Sequence, residues 1–111
     1  QCTEDFCRGG NTLKMYFTNA NVRACELVFE PTTRAITGVT FGDSVIGEQL
    51  EKRGRVAVAF TAERDQALPD PVMELTLAGT QAAAAADAVP GVARCVNGLG
   101  QPVAAPGLTF R

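Results

Sequence analysis

A period-two alternation of apolar and polar residues limits the fold more than any other feature of this chain. It begins the segment VRACELVFEPTTRAITGVTFGD, residues 22–43. Such a period is typical of a β-strand with one face in a core, and here the residues predicted to face the core are Cys25, Leu27 and Phe29. Pro31 ends this strand because proline has no N–H to donate to a ladder. A second short strand is predicted over residues 36–41, followed by a turn at Gly42 and Asp43.

Further short alternating runs recur along the chain. The predicted strands lie at residues 12–18, 55–62, 72–78, 91–97 and 107–110. Residues 12–18 and 22–29 are expected to be neighbours, either as a hairpin or as a step between two sheets. Seven to nine short strands, with turns every 8–12 residues and no long helix, predict an all-β fold, an antiparallel β-sandwich.

Three segments give weaker signals. Residues 44–54 contain Val45, Ile46 and Leu50, which fit a short strand or one helical turn, and the charged residues among them are typical of a solvated loop. Residues 80–91 hold five consecutive alanines, which favour one helical turn or a loosely paired edge segment. Residues 101–107 carry two prolines and form at best an edge strand.

Four cysteines and no histidine are the sharpest fact of composition. A Cys₄ zinc site needs two close pairs, and only Cys2 and Cys7 are close in sequence, so two disulfides are expected instead of a metal. Cys25–Cys95 with Cys2–Cys7 is the favoured pairing, and the crossed pairings stay open. A Cys25–Cys95 bridge would close a long loop, worth roughly 4 kcal/mol. Disulfides place a chain in an oxidising compartment, so secretion or display on a cell surface is expected.

Length, charge and hydropathy limit the number of domains and the kinds of partner that the chain can have. With 111 residues the chain fits one domain, which we divide into a Cys-rich lead at residues 1–11 and a β-sandwich at residues 12–111. The net charge of −2 offers no basic field for nucleic acid. No apolar run reaches the roughly 18 residues that a membrane span needs.

Catalytic signatures are absent from the sequence. Ser44 is the one serine, and no histidine is present to activate it. Three acidic residues of the segment 63–70 could ligate calcium, but their spacing matches no EF-hand and a solvated loop is the simpler interpretation; they are Glu63, Asp65 and Asp70. We therefore expect no enzyme activity, no metal and no cofactor.

Three segments together resemble cohesin-type domains, the sandwich modules related to the family-2 and family-3 carbohydrate-binding modules. They are VRACELVFEPTTRAITGVTFGD, GRVAVAFTAERD, and PVMELTLAG followed by ARCVNGLGQPV, and they lie within residues 12–104. The chain departs from the family in its length, in Glu30 where Asp is more usual, and in its Cys-rich start and alanine run. The resemblance implies a nine-stranded, jelly-roll-like sandwich that is extracellular, non-catalytic and used for attachment between proteins. It assigns no binding residue.

Two functions fit these expectations best. The first is a non-catalytic extracellular interaction module of adhesion or scaffold type, whose partner is another extracellular or cell-surface protein. The second is a subunit that assembles with copies of itself into a surface fibre, by adding its N-terminal lead or C-terminal strand to the sheet of a neighbour. A carbohydrate-binding module ranks lower because flat sugar sites need exposed aromatic rings, and Tyr16 is the sole candidate.

Overall fold

The computed structural model describes residues 11–30, 34–64 and 66–111, and the structural statements below refer to these ranges. It contains eight strands and one short 3₁₀ helix. In chain order they are β1 (Thr12–Phe17), β2 (Ala24–Phe29), β3 (Ile36–Phe41), β4 (Val45–Lys52), β5 (Arg55–Ala62), β6 (Met73–Leu77), the 3₁₀ helix Ala85–Ala88, β7 (Pro90–Val96) and β8 (Leu108–Phe110).

The strands form two four-stranded antiparallel sheets that pack face to face. Sheet A has the order β3-β6-β1-β8, and sheet B has the order β4-β5-β2-β7. Consecutive strands β1 and β2 belong to different sheets, so the chain steps between sheets at residues 18–23. The prediction of an all-β antiparallel sandwich is confirmed, and of the two arrangements expected for β1 and β2 the step is the one observed.

The core lies between the two sheets and is built from alternate residues of the inner strands. Period-two patterning makes this possible, because every second side chain of β1, β2, β5 and β6 points to the same layer. The residues buried to 2% exposure or less include Met15, Leu27, Val58, Met73, Leu75 and Leu77. The edge strands β3 and β4 contribute no fully buried residue among those described, although Phe41 and Val45 pack against the core.

The disulfide Cys25–Cys95 is confirmed. Both cysteines are buried, and they lie directly opposite each other on β2 and β7 with their Cα atoms 4.1 Å apart. The bond therefore joins neighbouring strands within sheet B and fastens β7 to its partner across 70 residues of sequence. The described residues do not include residues 1–10, and so leave out Cys2, Cys7 and all but the last residue of the N-terminal lead. They do not include Pro31 either.

Two weaker expectations are settled by the structure. Residues 45–52 form a strand, which was one of the two alternatives expected for Val45, Ile46 and Leu50. The solvated loop expected at the charged positions was wrong, although the side chains of Glu48–Lys52 are exposed. The strand is continued to Lys52 by the hairpin turn at Arg53 and Gly54, whose φ angles are both positive. The 3₁₀ helix Ala85–Ala88 begins at the end of the alanine run, so the helical turn is the alternative observed there. In residues 101–107 the only β-pairing is an isolated bridge between Val96 and Pro102.

Candidate functional site

The outer face of sheet B is the most distinctive surface of the described chain. The register of the four strands places its side chains in three rows. The row nearest the β4–β5 hairpin turn has Leu50, Ala57, Val28 and Val92; the middle row has Glu48, Ala59, Glu26 and Arg94; the far row has Ile46, Thr61, Ala24 and Val96. We call these twelve residues the outer face of sheet B.

Small residues make the middle of this face flat. Ala57 and Ala59 are the two central outward residues of β5, and Ala59 is exposed. On β4 the side chains of Ile46 and Leu50 rise at either end and are 62% and 66% exposed. Single exposed aliphatic residues are ordinary on protein surfaces. Here two of them lie on β4 beside the two alanines of β5, and the four residues together form a patch.

Two shallow depressions lie on this patch. One, of about 360 Å³, is bordered by Leu50, Glu48 and Glu26 and floored by Ala57 and Ala59. The other, of about 350 Å³, lies between Ile46, Glu48 and Thr61. Small-molecule sites are concave and bury most of their ligand, whereas these depressions are open. Their shape and apolar lining suit side chains presented by another protein.

A sparse set of charges crosses the apolar patch. Glu26 lies opposite Arg94 on β7, and Glu48 occupies the corresponding position on β4. At the hairpin end Arg55 donates from Nε to Glu30 Oε1 at 2.6 Å. This hydrogen bond, together with the attraction of the carboxylate, raises the pKa of Arg55 above its usual range, so the guanidinium stays charged. The face therefore combines two largely apolar outer rows with charged groups in its middle row, and these charges can fix the orientation of a partner.

Those residues singled out from the sequence that the structure describes lie apart from this face, and Cys25, although it belongs to β2, is buried on the inner side of that strand. Tyr16 lies on the outer face of sheet A, where the Arg111 guanidinium carbon sits 4.1 Å from the centre of its ring. One face of that ring is thus covered by a cation. Ser44 lies in the β3–β4 turn with a φ of 66°, and its carbonyl accepts a hydrogen bond from the N–H of Glu63.

The acidic residues 63–70 are not brought together among the described positions. Asp70 lines a cavity of about 230 Å³ between the β1–β2 and β5–β6 connections, beside Phe17 and Val72. Asp65 lies outside the described residues. No group of three or more His, Cys, Asp or Glu side chains suited to a metal occurs in the part of the chain that is described.

A second cavity of about 100 Å³ lies at the other end of the sandwich and is closed by an arginine clamp. Arg34 donates to the carbonyl oxygens of Ala78, Gln81 and Ala82 and forms an ion pair with Asp87 at 3.5 Å. These contacts hold the segment that contains the 3₁₀ helix against β3. The arrangement accounts for Arg34 as a structural residue.

Sequence reasoning missed the residues that give the outer face its character, above all Leu50 and Ile46. The alternation of residues 55–62 does place Ala57 and Ala59 on one side of the predicted strand. The missing signal was Arg53-Gly54, a two-residue turn between two runs of period two, which is typical of a hairpin. That turn would have placed Ile46, Glu48 and Leu50 beside the alanines.

Comparison with protein-family models, curated proteins and solved structures found no match to this chain. Within the described residues, no helix has the length and apolar character to cross a bilayer.

Proposed function

We propose that this chain is a non-catalytic extracellular interaction module of adhesion or scaffold type, and that it binds a partner protein through the outer face of sheet B. The observation that carries the proposal is the flat floor of Ala57 and Ala59 between the exposed side chains of Ile46 and Leu50. Exposed apolar residues gathered on one sheet face are typical of protein-binding surfaces, and the charges of Glu26, Glu48 and Arg94 that cross this face can add specificity. The resemblance to cohesin-type domains supports the same class of function.

The disulfide supports the extracellular part of the proposal. Cys25–Cys95 lies buried in sheet B, and such bonds persist in oxidising compartments. A partner met there would be another secreted or cell-surface protein.

The two alternatives have less support. In a fibre subunit the terminal strand would be given to a neighbour, but β8 already pairs with β1 of its own sheet. A sugar-binding face would need an open aromatic platform, and one side of the Tyr16 ring is covered by Arg111. The interaction module is therefore the function that the described geometry favours.

Site-specific photo-crosslinking tests the proposal. A photoreactive phenylalanine analogue is placed at Ala59, and in a matched variant at Thr40, an exposed residue on the outer face of sheet A. Each is mixed with the extracellular proteins of the source organism and irradiated. We expect a discrete crosslinked product from the probe at Ala59, which unlabelled wild-type chain competes away, and none from the probe at Thr40.

Equal crosslinking from the two positions, or no competition by the wild-type chain, would contradict a docking role for this face. The Thr40 variant controls for exposure, because both probes project from a strand into solvent.

A further inference from the structure

We propose that two copies of this chain pair through the free edges of their β4 strands, antiparallel about a two-fold axis at Leu50, so that two B sheets become one continuous sheet. This goes beyond binding of a partner at the outer face, because the contact is the edge of β4 and the partner is a second copy. The proposal rests on the free edge, on two charges without partners, and on the register that unites them.

The edge of β4 is long and open. The strand spans eight residues, pairs with β5 on one side, and has no strand on its other side among the described residues. The carbonyl of Ser44 accepts a hydrogen bond from the N–H of Glu63. This hydrogen-bonded pair lies two residues along the ladder from the pair Ile46↔Thr61. In an antiparallel ladder every second residue directs its backbone groups to the neighbour, so the even-numbered residues of β4 bond to β5. The backbone groups of Gly47, Gln49 and Glu51 therefore point to the free edge.

Two charges on the outer side of β4 have no ion-pair partner within the described chain, namely Glu48 and Lys52. Lys52 faces Arg55 on β5, a like charge directly opposite, while Arg55 is itself bonded to Glu30. Like charges at such positions destabilise a sheet, so Lys52 gains from a carboxylate on its other side.

One antiparallel register supplies that carboxylate. When Leu50 lies opposite Leu50 of the second copy, Glu48 lies opposite Lys52 in both directions, and Gln49 lies opposite Glu51. The odd-numbered residues that point to the free edge then form the hydrogen-bonded pairs, as the ladder requires. Moving the axis to Glu48 would place two glutamates opposite each other, and moving it to Gln49 would place Glu48 opposite Leu50. Of these three registers, the charge pattern favours the one centred on Leu50.

Charges on an edge strand often serve to prevent pairing, and Glu51 is the residue of β4 best suited to that purpose because it lies on the inner side. Its carboxylate, however, accepts a hydrogen bond from the N–H of Gly54 at 2.8 Å and so is directed along the hairpin. In the proposed register it meets the amide of Gln49, which can donate to it. The edge is therefore complementary to a second copy of itself. Because both copies use the same edge in a two-fold contact, assembly stops at the dimer.

Sedimentation equilibrium of the full chain up to about 500 µM tests the contact, since an edge of this size is expected to give a weak dimer. Lys52→Glu places a glutamate opposite Glu48 of the other copy on both sides of the axis. This change should weaken the dimer at least about tenfold. Glu48→Lys should do the same. The double variant Glu48→Lys/Lys52→Glu restores opposite charges and should return the affinity to within about threefold of wild type. Glu74→Lys, on sheet A, is the control and should change nothing.

Crosslinking tests the register separately. Leu50→Cys places two thiols at a non-hydrogen-bonded pair with Cα atoms about 4.5 Å apart, and should form a disulfide-linked dimer in air. Ile46→Cys places the thiols about 26 Å apart and should not. A wild-type chain that stays monomeric overturns the proposal, whether its edge is bare or covered by something else. A dimer indifferent to Lys52→Glu, or equal crosslinking at both positions, overturns it as well.

Discussion

At the scale of single residues, Gly47 and Phe41 set how the edges of the two sheets meet. A Cβ on Gly47 would lie 2.5 Å from the Cε1 and Cζ atoms of Phe41. The Phe41 ring in turn packs against Phe60, with ring centres 6.4 Å apart. The absence of a side chain at residue 47 therefore lets an aromatic ring of one edge strand cover the backbone of the other.

Gly47→Ala should lower the free energy of unfolding by about 1–3 kcal/mol, because the Phe41 ring must move and its packing on Phe60 is lost. Gly38→Ala is the matched control, since a Cβ there meets Thr76 at an ordinary 3.7 Å. That change should leave stability unchanged or raise it by about 0.5 kcal/mol through the unfolded state. Urea unfolding of both variants decides, and an equal loss in the two would contradict this explanation.

Arg34 acts at the same scale as a clamp. Its side chain is 13% exposed and donates to three carbonyl oxygens as well as to Asp87. A planar guanidinium offers these donors in a fixed fork, and an ammonium cannot.

Arg34→Lys should therefore cost about 2 kcal/mol of unfolding free energy, because carbonyl groups near the end of the sandwich lose charged donors. Arg94→Lys, an exposed change of the same kind on β7, should cost less than about 0.5 kcal/mol. Thermal and urea unfolding measure both, and a loss of stability at Arg94 as large as at Arg34 would refute the clamp.

At the scale of elements, β7 depends on the disulfide more than on burial. Of its side chains only Cys95 is buried, and Cys25–Cys95 is the covalent link from this edge strand to β2. The bond closes a loop with a sequence separation of 70, so its effect on the unfolded chain is large.

The double variant Cys25→Ala/Cys95→Ala should lose about 4 kcal/mol of unfolding free energy. Amide hydrogen exchange should become faster mainly in β7, because β2 remains hydrogen-bonded to β5. A variant within about 1 kcal/mol of the wild type would contradict this account.

The strand β4 shows where sequence reasoning stops. The alternation of β1, β2, β5 and β6 could be recognised because their inner residues are buried and apolar. Cys25–Cys95 was the favoured pairing because the two cysteines stand in separate strand-like runs, although the sequence left the crossed pairings open. In β4 the inner position Val45 packs against the core, but the other inner positions are Gly47, Gln49 and Glu51, which are not apolar side chains. The alternation is therefore weak, so the sequence left a strand and a helical turn as alternatives, and the exposed patch that Ile46 and Leu50 form with β5 was missed.

Proline distinguishes the two sides of β4. Gln49→Pro should leave the fold intact, because the N–H of residue 49 points to the free edge, and should abolish self-pairing. Leu50→Pro should unfold the hairpin, because it removes a donor to β5 and blocks the ladder. Circular dichroism and sedimentation report the two effects, and equal damage by both substitutions would show that the assigned directions of the backbone groups are wrong.

At the scale of the whole molecule, the two sheets have different outer surfaces. The outer face of sheet A is polar and carries Lys14, Glu74, Thr76 and the Tyr16–Arg111 contact, whereas that of sheet B has alanines on β5 and apolar residues in its two outer rows. The fold class, the strand positions other than β4 and one disulfide could be predicted from the chain. The contrast between the faces could not, because it depends on which strands become neighbours across long separations of sequence.

The affinity of Ala59→Arg for the protein identified by crosslinking tests whether the outer face of sheet B binds a partner protein. An arginine at the centre of the alanine floor should weaken binding at least about tenfold, because its long side chain fills the contact region and ties up Glu48 and Glu26, which lie opposite residue 59 on the neighbouring strands. Thr40→Arg adds the same charge to sheet A and should stay within about twofold of the wild type. Ala59→Arg binding as tightly as wild type would contradict the claim.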